Sequence, residues 1–321
     1  MGDPAGVGPE VCLKMLANYE LDTRPVIIGD VDELRRQADG LGLALHIDEI
    51  ARPSLSRPEA GKIEVIQAGG LPDPVTMGQV DAACGQIAYD SVKLAIDFAL
   101  SGEIDAIVTA PINKAAMSAA GIGFPGHTEI LAHFANSDVA MMLANEQLRV
   151  VLASIHVSLR QAIEDCTITS QLYAIRLAQL GAQAFGIESP RIAVAGLNPH
   201  AGESGLFGRE ELEMISPAIE TAKAEGLNVS GPWPGDTVFM QAREGHFDVV
   251  VAQYHDQGLI PIKYLGIADG VNVTLGLPFV RTSPDHGTAF DIAGQNRGDE
   301  SSMVYAFRQA QRLLAGFQAK E

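Results

Sequence analysis

The sequence predicts an α/β protein with a mainly parallel, doubly wound sheet, and three observations carry that reading. Short β-branched runs alternate with longer segments of helical periodicity, the pattern of strand–helix–strand units. Several runs end abruptly in polar or glycine-containing segments, where open α/β sheets bind their ligands. Three of these runs, 148–155, 191–199 and 247–254, lead directly into a histidine: His156, His200 and His255.

Composition narrows the class. The 321 residues suffice for one large α/β domain or two lobes, and 47% hydrophobic content supplies a core. A net charge of −18 argues against nucleic acid and anionic membrane surfaces as partners. An anionic substrate would need locally gathered cations. Cys12, Cys84 and Cys166 are odd in number and form no C-x-x-C motif, and no apolar run reaches the ~18 residues of a membrane helix. A reduced, soluble, cytoplasmic protein is the expectation.

Taken in order, Gly2-Asp3-Pro4-Ala5-Gly6-Val7-Gly8-Pro9-Glu10 is a tight loop, and Pro9 suits the first turn of the helix behind it. No Lys-Ser/Thr follows, so it is not a P-loop, nor does it read G-x-G-x-x-G. Such a loop normally follows a strand; its lack here suggests a late or clipped start. Asp3 is equally a functional carboxylate or a turn cap. Residues 25–30 predict a strand, 31–37 a helix and 43–47 a strand. Residues 48–75 look irregular, with one strand at 63–66. A long helix follows, with Val80, Ala83, Cys84, Ile87, Leu94, Ala95 and Phe98 near one face. Residues 105–110 form a strand, followed by Pro111-Ile112-Asn113-Lys114. Phe124 to Glu129 reads as a turn opening a helix at 130–134. Thr128 is either its cap or, with His127, part of an anion site at its N-terminus. Only four residues separate the runs 138–143 and 148–155, so they predict a hairpin. Residues 158–186 are mainly helical, 202–208 a flexible loop, 209–226 a helix, 231–237 a loop and 301–317 a closing helix.

If the three histidine-ending runs are neighbouring parallel strands, their imidazoles can converge on one point. Three protein ligands with an open position describe a catalytic metal site. His46, His133 and His246 lack that strand-end context and read as structural or solvent-facing.

Several motifs together resemble one family. They are the 2–10 loop, Thr109-Ala110-Pro111-Ile112-Asn113-Lys114, Gly126-His127-Thr128-Glu129, Asn198-Pro199-His200-Ala201-Gly202-Glu203, Gly235-Asp236-Thr237, Tyr254-His255-Asp256-Gln257-Gly258 and the run 270–283 from Gly270 to Ser283. They resemble the 4-hydroxythreonine-4-phosphate dehydrogenases of pyridoxal phosphate synthesis, and they cover nearly the whole chain. The resemblance implies the two-lobed fold of isocitrate and isopropylmalate dehydrogenases, distinct from the Rossmann domain. It implies a cofactor lobe of residues 1–115 and 256–321. A second lobe, 116–255, would carry the dimer contact and part of the metal site. It also implies that His156, His200 and His255 hold one divalent metal (zinc, magnesium, manganese or cobalt) shared across a homodimer interface. His127, Thr128, Lys263, Asn272 and Arg281 would bind the phosphorylated substrate. His286, Gly287, Thr288, Ala289, Asp291 and Gly294 resemble a loop that wraps the adenosine of NAD, with NADP as the alternative. Lys263, Asp236 and Asp256 are the candidate catalytic groups, with the general base unassigned. Without the resemblance, Lys263 and Arg281 read as surface cations, and Asp236 and Asp256 as turn caps.

The reaction so implied is oxidation of 4-phosphohydroxy-L-threonine to 2-amino-3-oxo-4-phosphobutanoate, with decarboxylation. A paralogue oxidising threonate or erythronate 4-phosphate would carry the same motifs. A metal-dependent hydrolase is the alternative from another class, but it has no use for the 286–294 loop. A non-catalytic metabolite-binding protein is a third.

Overall fold

The computed structural model describes residues 1–20, 23, 25–57, 59, 61–72, 74–266 and 270–318. Positions 58, 60 and 73 of the expected irregular stretch lie outside the described residues. The chain forms two compact units, one of Met1–Ser137 with Leu277–Ala310, the other of Asp138–Gly276 with Gln311–Glu321. Among the described residues no helix is long and apolar enough to cross a membrane.

The first unit begins with helix α1 (Gly8–Asn18), which has proline in its first turn as its sequence requires. Strand β1 (Ile27–Gly29) and helix α2 (Val31–Gly40) follow; Asp30 caps α2 by accepting from the Glu33 N–H at 2.8 Å. Strands β2 (His46–Glu49) and β3 (Lys62–Gln67) complete a small parallel sheet in the order β1-β3-β2. Leu13, Val31, Leu34, Ile27, Ile47, Ile63 and Val65 close the core between this sheet and α1 and α2.

Helix α3 (Ala82–Leu100) starts at Asp81, whose carboxylate accepts from the Ala83 and Cys84 N–H groups. Val80, expected on its buried face, precedes the helix and is 52% exposed. Strand β4 (Ala106–Val108) leads to helix α4 (Lys114–Ala119), capped by Asn113, and to helix α5 (His127–Ala135). Val92, Ile96, Ile107, Met117, Ile130 and Leu131 pack these elements together. Helix α4 lies so close to α3 that a Cβ on Gly85 would fall 2.2 Å from the Ala116 carbonyl oxygen and 2.6 Å from the Met117 nitrogen. Both neighbours are backbone, so Gly85→Ala must part the two helices. We expect a loss of about 1–3 kcal/mol, read as a lower denaturant midpoint at unchanged m-value.

The second unit opens with strands β5 (Ala140–Ala144) and β6 (Arg149–Leu152), the predicted hairpin. Asn145 sets its turn, its side-chain oxygen accepting from the Gln147 and Leu148 N–H groups at 2.9 and 2.8 Å. Helices α6 (Leu159–Glu164) and α7 (Ile168–Ala184), strand β7 (Ile192–Ala195), helix α8 (Ser216–Ala224) and strand β8 (Val229–Trp233) follow. Then come helix α9 (Val238–Arg243), strand β9 (Val249–Ala252), helix α10 (His255–Tyr264) and strand β10 (Val271–Leu275). The strands lie in the order β10-β5-β6-β9-β7-β8; β10, β5 and β6 pair antiparallel, while β6-β9-β7-β8 is parallel. Met141, Leu143, Val150, Leu152, Ala193, Val250, Leu259 and Ile262 fill one face of this sheet. The chain then returns to the first unit as strand β11 (Val280–Pro284), parallel to β4, and enters helix α11 (Ser301–Gln318).

Several expectations shift. The unit boundaries fall after 137 and 276 rather than after 115 and 255. The reason is packing: Ile130 and Leu131 of α5 bury against α3, and β10 pairs with β5. Residues 231–233, expected in a loop, belong to β8, because Ala195 pairs with Trp233. Residues 211–215 wind as a π-helix ahead of α8. Helix α5 begins at His127, not at 130; Gly126 takes the cap position and Thr128 is buried within the first turn.

Candidate active site

The three histidine-ending runs are neighbouring parallel strands: β6 pairs with β9, and β9 with β7. His156, His255 and His200 leave their carboxyl ends, as the sequence required. Two of them meet. The ring centroids of His156 and His255 lie 6.0 Å apart. A metal about 2.1 Å from a ligating nitrogen sits roughly 3.2 Å from that ring's centre, so two rings on one ion have centroids at most about 6.4 Å apart. The pair fits that limit. His255 Nδ1–H donates to Asp256 Oδ1 at 2.7 Å; a carboxylate only accepts, so the proton is on Nδ1 and Nε2 is left for another partner. Asp256 thus orients His255. Asp236 is exposed, in the turn before α9.

His200 does not complete the set within one chain. Among the described residues no group of three His, Cys, Asp or Glu side chains is placed to hold a metal. The His200 ring lies 6.2 Å from that of Phe207 and is exposed. The segment carrying it is not the expected flexible loop. His200, Ala201, Gly202, Glu203 and Ser204 all have positive φ, between 42° and 79°, a left-handed turn of five residues. Four of them carry a Cβ, and each costs roughly 1–2 kcal/mol in that conformation. Strand propensity ends at Ala195, and nothing local in the sequence favours this winding.

The first unit holds a buried cation. Arg281 lies on β11 opposite Ile107 of β4 and is 2% exposed. Its Nη2 donates to Thr109 Oγ1 at 2.6 Å. Burial pulls its pKa down to about 9, and Glu129 nearby holds it up against that. His127, the first residue of α5, is held well below the usual histidine range, first by burial and then by Arg281. Its Nε2 is shielded from water and has no hydrogen-bond partner. A neutral imidazole, a buried guanidinium and the first N–H groups of α5 therefore share one region. Positive charge and unmet donors at a helix N-terminus suit an anion. The surface-cation reading of Arg281 fails because β4–β11 pairing puts it in the core. In the second unit, Asn272 lies on β10 with its Oδ1 buried and without a partner, and Lys263 is exposed near the end of α10.

Residues 286–294, after β11, are interlocked with the N-terminal loop. The Val7 N–H donates to the Thr288 carbonyl at 2.9 Å, and a Cβ on Gly6 would lie 2.8 Å from that same oxygen. Ala289 is held at φ 44°. His286 Nδ1–H donates to the Gly287 carbonyl at 2.9 Å, which leaves Nε2 as an acceptor. That atom is buried and meets no protein donor. An orphaned acceptor on a constrained loop fits the amino or hydroxyl group of a nucleotide. Asp3 is fully buried in the same unit; its Oδ1 accepts from the Ala5 N–H at 2.8 Å and its Oδ2 has no partner. Thr109 and Glu129 were visible in motifs but had no assigned role. Glu211, buried beside the His200 turn, gave no sequence signal at all.

Together these features give an α/β protein with a buried guanidinium and a neutral imidazole at the start of α5 in one unit, and paired imidazoles at adjacent strand ends in the other. Comparison with known families makes this specific. The family model of the pyridoxal phosphate biosynthetic protein PdxA matches residues 22–310, and the chain belongs to that family. Its relatives there are named dehydrogenases. The chain is 55% identical over 314 residues to 4-hydroxythreonine-4-phosphate dehydrogenase of Beijerinckia indica, covering 98% of this chain and 93% of that one. It is 47% identical to D-threonate 4-phosphate dehydrogenase of Salmonella typhimurium, over 98% of this chain and 97% of the other. The crystal structure of 4-hydroxythreonine-4-phosphate dehydrogenase from Klebsiella pneumoniae matches with a TM-score of 0.87 at 43% identity, covering 98% of each chain.

Proposed function

We propose that the protein, an oxidoreductase by its family, oxidises the C3 hydroxyl of 4-phosphohydroxy-L-threonine with NAD or NADP, giving 2-amino-3-oxo-4-phosphobutanoate, which then loses CO₂. The observation that carries this reading is the buried Arg281 beside the first turn of α5, a fixed cation suited to a phosphate monoester. Its guanidinium offers paired donors to phosphate oxygens, and Thr128 and the α5 N–H groups add neutral ones. His127 stays neutral at pH 7, so it can donate one N–H without adding charge repulsion beside Arg281. Asn272 and the point charge of Lys263 serve the amino-acid end of the substrate. Lys263, Asp236 and Asp256 remain the groups assigned to proton handling.

His156 and His255 would hold a divalent metal together with His200 from the partner in a homodimer, and the metal would supply Lewis acidity to the substrate oxygen. The exposure of His156 and His200 in the single chain favours that sharing. His286 to Gly294 would hold the nucleotide, which accepts the hydride. The second reading replaces the C2 amine by a hydroxyl, making D-threonate 4-phosphate the substrate; the Salmonella typhimurium relative of that name motivates it.

The test is nucleotide reduction by the metal-supplied protein with each substrate in turn. Higher kcat/KM for 4-phosphohydroxy-L-threonine is the expected result. Preference for D-threonate 4-phosphate would keep the chemistry and move the assignment to the second reading. No reduction with either, with NAD or NADP, would refute both.

A further inference from the structure

We infer that Glu211 is a positioning residue whose buried carboxylate holds the turn 200–204 in its left-handed winding, and so fixes where His200 is presented. The inference rests on the proposed reading of His200 as a metal ligand.

The turn's own bonds are local backbone ones, from the Ala201 N–H to the Asn198 carbonyl at 3.1 Å and from the Leu206 and Phe207 N–H groups to the Glu203 and Gly202 carbonyls at 3.2 Å each. Four of its five residues are not glycine, all five have positive φ, and His200, Glu203 and Ser204 face solvent. Burial therefore does not explain why the winding persists, and strained backbone persists only where its surroundings over-determine it. The surroundings converge on one group. Glu211 is 2% exposed. Its Oε1 accepts from the Leu197 N–H at 2.8 Å and the Asn198 N–H at 2.7 Å, two of the four residues between β7 and the turn. Its Oε2 accepts from Asn198 Nδ2 at 3.0 Å, and the same amide donates to Glu210 at 2.7 Å. All three bonds to Glu211 come from neutral N–H groups; no cation is among these donors. A buried carboxylate is costly unless it is fully hydrogen-bonded, so this arrangement is an unusual one for a purely structural link.

The fit is close. A Cβ on Gly202, at φ 79°, would lie 2.6 Å from Glu211 Oε2, so the carboxylate rests against the turn where a side chain is missing. Glu211 opens the π-helical segment 211–215, and such insertions recur at functional sites because they re-aim a side chain. The foot of the turn is tied as well. The Gly196 carbonyl accepts from Gln257 Nε2 at 2.8 Å, and the Gly196 N–H donates to the Trp233 carbonyl at 2.7 Å. Gln257 also accepts from the Gln253 N–H at 2.7 Å, at the end of the strand that delivers His255. The clamp thus links the base of the His200 turn to the strand end beneath His255.

The experiment compares Mn(II) affinity of the purified wild-type protein with that of Glu211→Gln, Gly202→Ala and His200→Ala, alongside amide hydrogen exchange at residues 197–204 and thermal stability. Glu211→Gln keeps the size of the side chain but turns one acceptor into a donor facing N–H groups. We expect about a tenfold weaker Mn(II) affinity, faster exchange at 197–204 and a melting temperature close to wild type. Gly202→Ala attacks the same turn without changing its charge and should shift affinity in the same direction; it decides the matter if Glu211→Gln fails to fold. Wild-type affinity in both clamp variants, while His200→Ala is weakened, would overturn the positioning role and leave the metal reading standing. Unchanged affinity in His200→Ala would remove the metal reading and the inference with it.

Discussion

Arg281→Met is expected to lower kcat/KM for the phosphorylated substrate by about 10²–10⁴-fold. Two charge-assisted hydrogen bonds to phosphate contribute roughly 1.5–3 kcal/mol each, and about 1.4 kcal/mol corresponds to each factor of ten. The effect should be confined to substrates bearing the phosphate. With a dephosphorylated analogue, wild type and variant should converge, because the missing interaction has nothing to act on. Burial has already lowered the guanidinium pKa from its usual value to about 9, against the raising effect of Glu129, so at neutral pH the folded state carries the cost of a buried charge. That cost is on the order of a few kcal/mol. Methionine fills similar volume without that cost but leaves the Glu129 carboxylate without the Arg281 charge, so melting temperature is read alongside turnover. Equal kcat/KM in the two proteins would remove Arg281 from the anion site. A large drop in melting temperature would make its role structural instead.

Asp3→Asn should raise stability by roughly 3 kcal/mol above pH 6, and by almost nothing below pH 4. The Asp3 carboxyl is pushed from 3.8 up to about 6, chiefly by burial and further by Asp81, against the lowering effect of the Ala5 N–H. Between those two values the unfolded chain has released the proton and the folded protein still holds it. Stability therefore falls as pH rises through this window, and the full cost of about two pKa units applies above it. Asparagine imitates the protonated acid: it can keep the acceptor for the Ala5 N–H, which lies 2.8 Å away, and removes the charge. Denaturant midpoints measured from pH 4 to 8 test this. Parallel curves for the two proteins would show that Asp3 does not titrate in that range. If the stabilised variant loses turnover, the charge of Asp3 is retained for the loop that interlocks with residues 286–294, not for folding.

Some features were legible from the residues because their causes are local. The 3.6-residue period located α3, the short stretch between two apolar runs located the β5–β6 hairpin, and Pro9 located the start of α1. Each of the three histidine-ending runs read as a strand, and the condition that they be parallel neighbours is met by β6-β9-β7. Motif spacing over nearly the whole chain pointed to the family.

Other features depended on contacts between residues distant in sequence. Arg281 is a charged side chain in a β-branched run, and its burial follows only from the pairing of β11 with β4 and the packing of α5 beside them. The unit boundaries moved because hydrophobic faces, not motif positions, decide which helix belongs to which core. His200 had the same strand-end signal as His156 and His255, yet it stands apart from that pair. A left-handed turn there opposes the local preference of L-residues, and its local backbone bonds are joined by a non-local agent. That agent is the buried carboxylate of Glu211, eleven residues further along the chain, brought to the turn by tertiary structure.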